Sequence, residues 1–161
     1  MPTSASTLLR ETIDRELPLL KKLTDEGASQ NDGRPGSWTR KQELGHLIDS
    51  ATNNHMRIAL AAIDGEFRGE GYAQEKWVDV HGYRELPWQL LVSLWYHYNE
   101  LLAELMARVP ESRLDSRCLI GWSVVTMQFV MEDYVLHLQH HIDHILAKES
   151  ITTYPGVAAG V

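Results

Sequence analysis

Residues 137–146 read HLQHHIDHIL and carry four of the chain's eight histidines: His137, His140, His141 and His144. A neutral imidazole offers a lone pair to a transition metal, and two imidazoles four residues apart on a helix lie about 6 Å apart along one side of it. Their rings can therefore converge on one ion at about 2.0–2.1 Å. The spacing occurs twice, as His137/His141 and as His140/His144. A helical pair supplies only two ligands, so an open, reactive site needs a third group from elsewhere in the chain.

At about 100° per residue, Asp133, His137, His140 and His144 form one stripe, opposite Val124, Met131, Val135, Leu138 and Ile142. Gln128, Glu132, Gln139 and Asp143 make a separate polar edge, read as the solvent face. That leaves the histidine stripe to line a cleft, and His140/His144 are its i, i+4 members. His141 is rotated about 60° from His137 toward the apolar side. His137 and His141 flank the expected ligands and read as bystanders, the other reading being a general base or an alternative metal register. Earlier in the chain, His46, Ser50, Asn53 and Arg57 form a matching stripe against Leu44, Leu47, Ile48, Ala51 and Ile58. Short hydrogen-bonding groups and one Arg are unlike open surface, which usually carries Lys and Glu. His46 is the one histidine on this stripe, so the expected metal set is His46, His140 and His144, holding a late-row divalent ion such as zinc or nickel.

Asp49, Ser50, Asn53 and Arg57 lie within a few turns of His46 and are expected to orient the ligands or touch substrate, or to be plain helix-surface groups. Arg57 is expected to pair with Asp133 or to grip a carboxylate. No residue is singled out as catalytic. His55, His81 and His97 lack partners at ligand spacing. Trp38, Trp88, Trp95 and Trp122 read as packing residues, whereas Tyr72 and Trp77 read as a lid, a wall or a loop anchor.

Four long helices must position these groups. Leu8, Ile13, Leu17, Leu20 and Leu23 recur at helical spacing through residues 7–25. Thr39, with Gln42 at the capping-box position, starts a second helix that Gly65 can end after Asp64. Residues 66–86 form a long connection with one short helix over 73–80. A third helix follows Pro87 and stops before Pro110, and a fourth spans 124–148, after which TTYPGVAAGV reads as a loose tail. With no strand pattern, the fold class is all-α: a four-helix bundle, in one domain covering residues 1–161.

The 161 residues suffice to bury a core without disulfide or metal, and the lone Cys118, read as a packed residue, excludes an internal disulfide. A net charge of −7 gives no footprint for nucleic acid or an anionic membrane, and neither is an expected partner. The basic start and apolar run of a secretory signal are missing, and no stretch approaches the roughly 20 apolar residues of a membrane span. The expected compartment is the cytoplasm.

The segments SWTRKQELGHLIDSATNNHMR (37–57), EKW (75–77) and HHIDHI (140–145) together resemble the DinB/YfiT-like superfamily of metal-dependent hydrolases, and most closely its YfiT branch, which includes bacillithiol transferases. The resemblance implies a bundle of up-down-down-up connectivity, often a homodimer. It also implies a divalent metal held by one histidine of the second helix and two from the HxxxH of the fourth, which carries over to His46, His140 and His144. Gly45 departs from the polar residue frequent before the first ligand. The implied activity is hydrolysis or transfer of a low-molecular-weight thiol cosubstrate to a small-molecule electrophile. The rival expectation is a metal-binding or dimeric stress-response protein without turnover.

Overall fold

The computed structural model describes residues 4–154. Its long helices are α1 (Ala5–Lys21), α3 (Arg40–Asp64), α5 (Trp88–Arg108) and α6 (Met127–Ile145), with two short ones, α2 (Asp25–Ala28) and α4 (Gln74–His81). The start and stop of α3 follow local chemistry. Thr39 accepts from the Gln42 N–H while the Gln42 side chain accepts from the Thr39 N–H, and Gly65 closes the helix with φ +80°.

Going round the bundle, α1 packs on α5 and α6, and α3 packs on the same two helices, so α1 and α3 are diagonal partners. Side-chain pairings fix the directions. Ser6 donates to the Ala103 carbonyl and Trp88 to the Leu20 carbonyl, so α1 and α5 run antiparallel. Asp25 holds both the Trp88 N–H and Lys41 near the starts of α5 and α3, while His55 meets Tyr98 well along the same two helices, so α3 and α5 run parallel. The side chain of Arg40 donates to the Ile145 carbonyl and His46 meets His137, so α3 and α6 are antiparallel. The connectivity is up-down-down-up.

Trp88 and Trp95 sit wholly buried among Leu9, Leu20, Leu44, Leu91 and Leu102, as packing residues should. Trp122 does not: it is fully exposed at the tip of a hairpin. That hairpin corrects a further expectation, because the chain does contain strands. β1 (Glu66–Gly69) pairs in parallel with β2 (Arg117–Ile120), and β2 pairs antiparallel with β3 (Ser123–Thr126). Each has only four residues, too few to show an alternation, and the β-branched Val124 and Val125 fit the strand rather than a helix. The fourth helix consequently begins at Met127, where the Thr126 hydroxyl accepts from the Phe129 N–H. Cys118 is buried in β2, as expected.

The supposedly loose tail is anchored as far as it is described. Both the backbone N–H and the hydroxyl of Thr152 donate to Asp143 Oδ2, at 2.8 and 2.6 Å, and the Tyr154 hydroxyl bonds Asp133 at 3.0 Å. Residues 155–161 lie outside the described residues.

Candidate metal centre

The first turns of α3 and the last turns of α6 pass each other with their helix ends tied. Arg40 donates not only to Ile145 but also to the Gly27 and Asn31 carbonyls, fastening the α2–α3 loop to the end of α6. Within that clamp, ring nitrogens of His46, His137 and His141 all lie within 4.8 Å of one another. His46 Nε2 and His137 Nε2 are 3.1 Å apart. Two imidazole nitrogens bound at tetrahedral angles to one ion at 2.0–2.1 Å would stand about 3.3–3.4 Å apart, so the rings already hold a spacing close to that of a shared ion.

The structure thus brings His46 together with His137 and His141, not with His140 and His144. The two excluded histidines have other partners. His140 Nδ1 lies 2.8 Å from the Thr152 carbonyl, and His144 Nδ1 is 3.7 Å from Asp32. Of the stripe opposite the apolar face, His137 lines the groove, whereas His140 and His144 do not. The groove lies on the flank of the core, and the rotation of His141 toward the apolar side is what delivers its ring to α3.

Burial keeps the three ligand candidates in the metal-binding state. His46 and His137 are almost wholly buried and His141 mostly so. Desolvation, reinforced by neighbouring imidazoles, pushes His46 and His141 down to about 3 and His137 well below its ordinary value. All three are therefore neutral near pH 7, with lone pairs available. His141 has a further support: its Nδ1 lies 3.0 Å from Glu43 Oε1, which directs Nε2 inward in the carboxylate–histidine arrangement common around bound metals. Burial raises the Glu43 carboxyl to about 7, against the opposing pull of Arg34.

Glu43 was missed in the sequence, although it lies one turn before His46 on the same side of α3. It is buried and also meets Arg34 at 3.5 Å. Arg34, Gly36, Ser37, Trp38, Glu43, Glu75 and His141 line an open cleft of about 270 Å³ that leads to the His141 ring. Trp38 packs its ring 5.1 Å from that of His46, so it walls the site as well as packing. On the other side Tyr154 stands edge-on to His137 at 5.1 Å.

The remaining sequence candidates divide. Asp49, Ser50 and Arg57 are buried, whereas Asn53 is half-exposed and donates to the Asp49 carbonyl. Arg57 reaches Asn54 at 3.4 Å, and Asp133 accepts from Tyr154. Gly45, the departure noted in the sequence, has a packing cause: a Cβ there would sit 2.1 Å from the Tyr83 ring. The Tyr83 hydroxyl then donates to Asp49 Oδ1 at 2.6 Å, and His81 Nδ1 approaches the same oxygen at 3.1 Å. His81 therefore does have a partner near the site. Tyr72 and Trp77 pack edge-to-face at 5.4 Å and anchor the connection. The expected solvent edge of α6 is also partly interior, because Asp143 is buried under Thr152, Gln139 and Lys148.

An up-down-down-up helical bundle with three histidines converging between its second and fourth long helices defines a class of metal-site bundle proteins. The chain belongs to the DinB superfamily, whose family model matches residues 8–145. It is 29% identical over 128 residues to a protein of Oceanobacillus iheyensis named "Putative metal-dependent hydrolase OB0413", covering 78% of this chain and 72% of that one. A Halalkalibacterium halodurans protein bearing the same description is 28% identical over 138 residues, covering 83% and 78% of the two chains. Among solved structures, the fold matches YfiT from Bacillus subtilis, a probable metal-dependent hydrolase with an unusual four-helix bundle topology. That match has a TM-score of 0.79 and 20% identity, over 89% of this chain and 82% of YfiT. It also matches a mycothiol-dependent maleylpyruvate isomerase with a TM-score of 0.71 and 16% identity, over 88% of this chain and 59% of that one.

Proposed function

We propose that this chain is a metal-dependent enzyme that holds a divalent transition ion, zinc or nickel, on His46, His137 and His141 and acts on a small molecule entering by the Trp38 cleft. The observation that carries the reading is the convergence of three neutral, buried ring nitrogens from two helices, with Glu43 orienting one of them. A bound ion would supply Lewis acidity and lower the pKa of a coordinated water or thiol. The chain's own part is to fix the three rings, shed water from them by burial, and present Trp38, Ser37 and Arg34 to the incoming molecule.

Hydrolysis is the first reading, supported by the names of the relatives. Transfer of a low-molecular-weight thiol is the second, favoured by the shared fold with a thiol-dependent isomerase. In either case the chain is proposed to work in the cytoplasm as a homodimer, without nucleic-acid or membrane partners. Among the described residues no helix is long and apolar enough to cross a membrane. Met56, Leu60 and Ile63 on α3 and Leu94 and Leu101 on α5 are exposed apolar side chains that a second copy would cover.

Purified protein should carry about one equivalent of zinc or nickel and, with that metal, hydrolyse members of an ester and amide panel or consume a thiol with a small electrophile. Metal-binding protein inert in both panels would leave the non-catalytic reading standing. Absence of tight binding to either ion would overturn the proposal.

A further inference from the structure

Of the three ring systems in the metal centre, only His141 has an acceptor for its second nitrogen. His46 turns Nε2 toward His137, and its Nδ1 is buried with no protein partner. A neutral imidazole that gives the Nε2 lone pair to a metal must carry its proton on Nδ1, so this orphan is a donor. Three residues along α3, Asp49 Oδ2 is a buried carboxylate oxygen that also has no partner. Residues three apart on a helix have Cβ atoms about 5–6 Å apart, a gap that a small side-chain rotation or a single water spans. Both residues are about 1% exposed, so neither orphan can be satisfied by bulk solvent.

We propose that Asp49 is the positioning residue for His46, accepting the Nδ1 proton through Oδ2 directly or across one water, as Glu43 does for His141. The other half of the carboxylate is already fixed: Oδ1 takes the Tyr83 hydroxyl at 2.6 Å and faces His81 Nδ1 at 3.1 Å. Tyr83 can approach because residue 45 is glycine. The array therefore runs from His81, which is 44% exposed, through Asp49 to a metal-facing ring, linking the buried centre to the surface.

The inference rests on the metal reading above, and the experiment separates the two. In zinc-loaded wild-type protein, NMR should show a His46 ring N–H resonance that exchanges slowly with water, whereas a ring N–H that exchanges at the solvent rate would overturn the inference. Asp49→Asn should weaken zinc binding about 10–100-fold and alter the ligand-field spectrum of the cobalt-substituted protein, with the helical signal retained. Zinc affinity and cobalt spectrum within twofold and unshifted would overturn it. His46→Ala is the control: if it abolishes tight zinc binding while Asp49→Asn does not change it, only this inference fails. If His46→Ala leaves zinc binding intact, the metal centre itself fails. Should Asp49→Asn not fold, the wild-type N–H exchange decides alone.

Discussion

Helix α6 presents two histidine pairs of identical spacing, and they have different fates. Taking the buried Tyr134, Leu138, Ile142 and Ile145 as the core-facing direction, His141 and His137 lie about 55° and 95° from it, whereas His144 and His140 lie about 115° and 155° away. One step of rotation separates rings packed against α3 from rings bonded to the tail and to Asp32. The three-histidine cluster forms on the shoulder of the core, where a second helix comes close enough to supply the third ring. On the face away from the apolar side, the His140/His144 pair meets the Thr152 carbonyl and Asp32 of a loop, among the described residues.

The sharpest way to break this contrast is to remove one member of each pair. His137→Ala should reduce zinc affinity by more than about 100-fold, beyond the loss typical of a supporting residue, while His140→Ala should leave it within a few-fold. Calorimetric titration of both variants checks this, and the reverse ranking would restore the outer pair as the ligands. Next in size, Glu43→Ala removes the carboxylate behind His141 and should weaken zinc binding about 10–100-fold. An unchanged affinity would mean that packing alone holds the inner ring.

The smallest expected effect on metal comes from the structural network on the outer side of α6. Glu16 is fully buried and accepts from Lys148 at 2.7 Å, Gln139 at 3.2 Å and Arg15 at 3.1 Å. Burial alone would raise its carboxyl, but these donors outweigh it and hold the group below 4.5. A depressed folded-state value means that the stabilisation is present above about pH 4.5 and is lost as the pH falls through the lower folded value. Glu16→Gln should therefore lower stability at pH 7 by about 1–3 kcal/mol, flatten the acid limb of the stability profile, and leave zinc affinity unchanged. Chemical denaturation at pH 7 and pH 3.5 measures both effects.

Much of the scaffold was legible in the sequence because its signals are local. Thr39 with Gln42, Gly65, and Pro87 ahead of Trp88 marked helix boundaries that the structure reproduces closely. His46 was legible too, as the single histidine on a stripe of buried short polar groups. The strands were not, since β1 pairs with a segment some fifty residues away and each strand is too short to carry its own pattern. Nor was the anchoring of Thr152 and Tyr154, which depends on Asp143 and Asp133 being presented by the finished helix.

By itself the sequence determined four amphipathic helices, the limits of α3 and α5, and a choice of two histidine pairs to set against His46, because helix periodicity and capping act over a few residues. Only the tertiary structure decided which pair turns inward, that Glu43 stands behind the His141 ring, and that Gly45 makes room for Tyr83. Those outcomes depend on how far each helix is rotated about its own axis when α3 and α6 pack, and that rotation is set by the whole core rather than by any local stretch of residues.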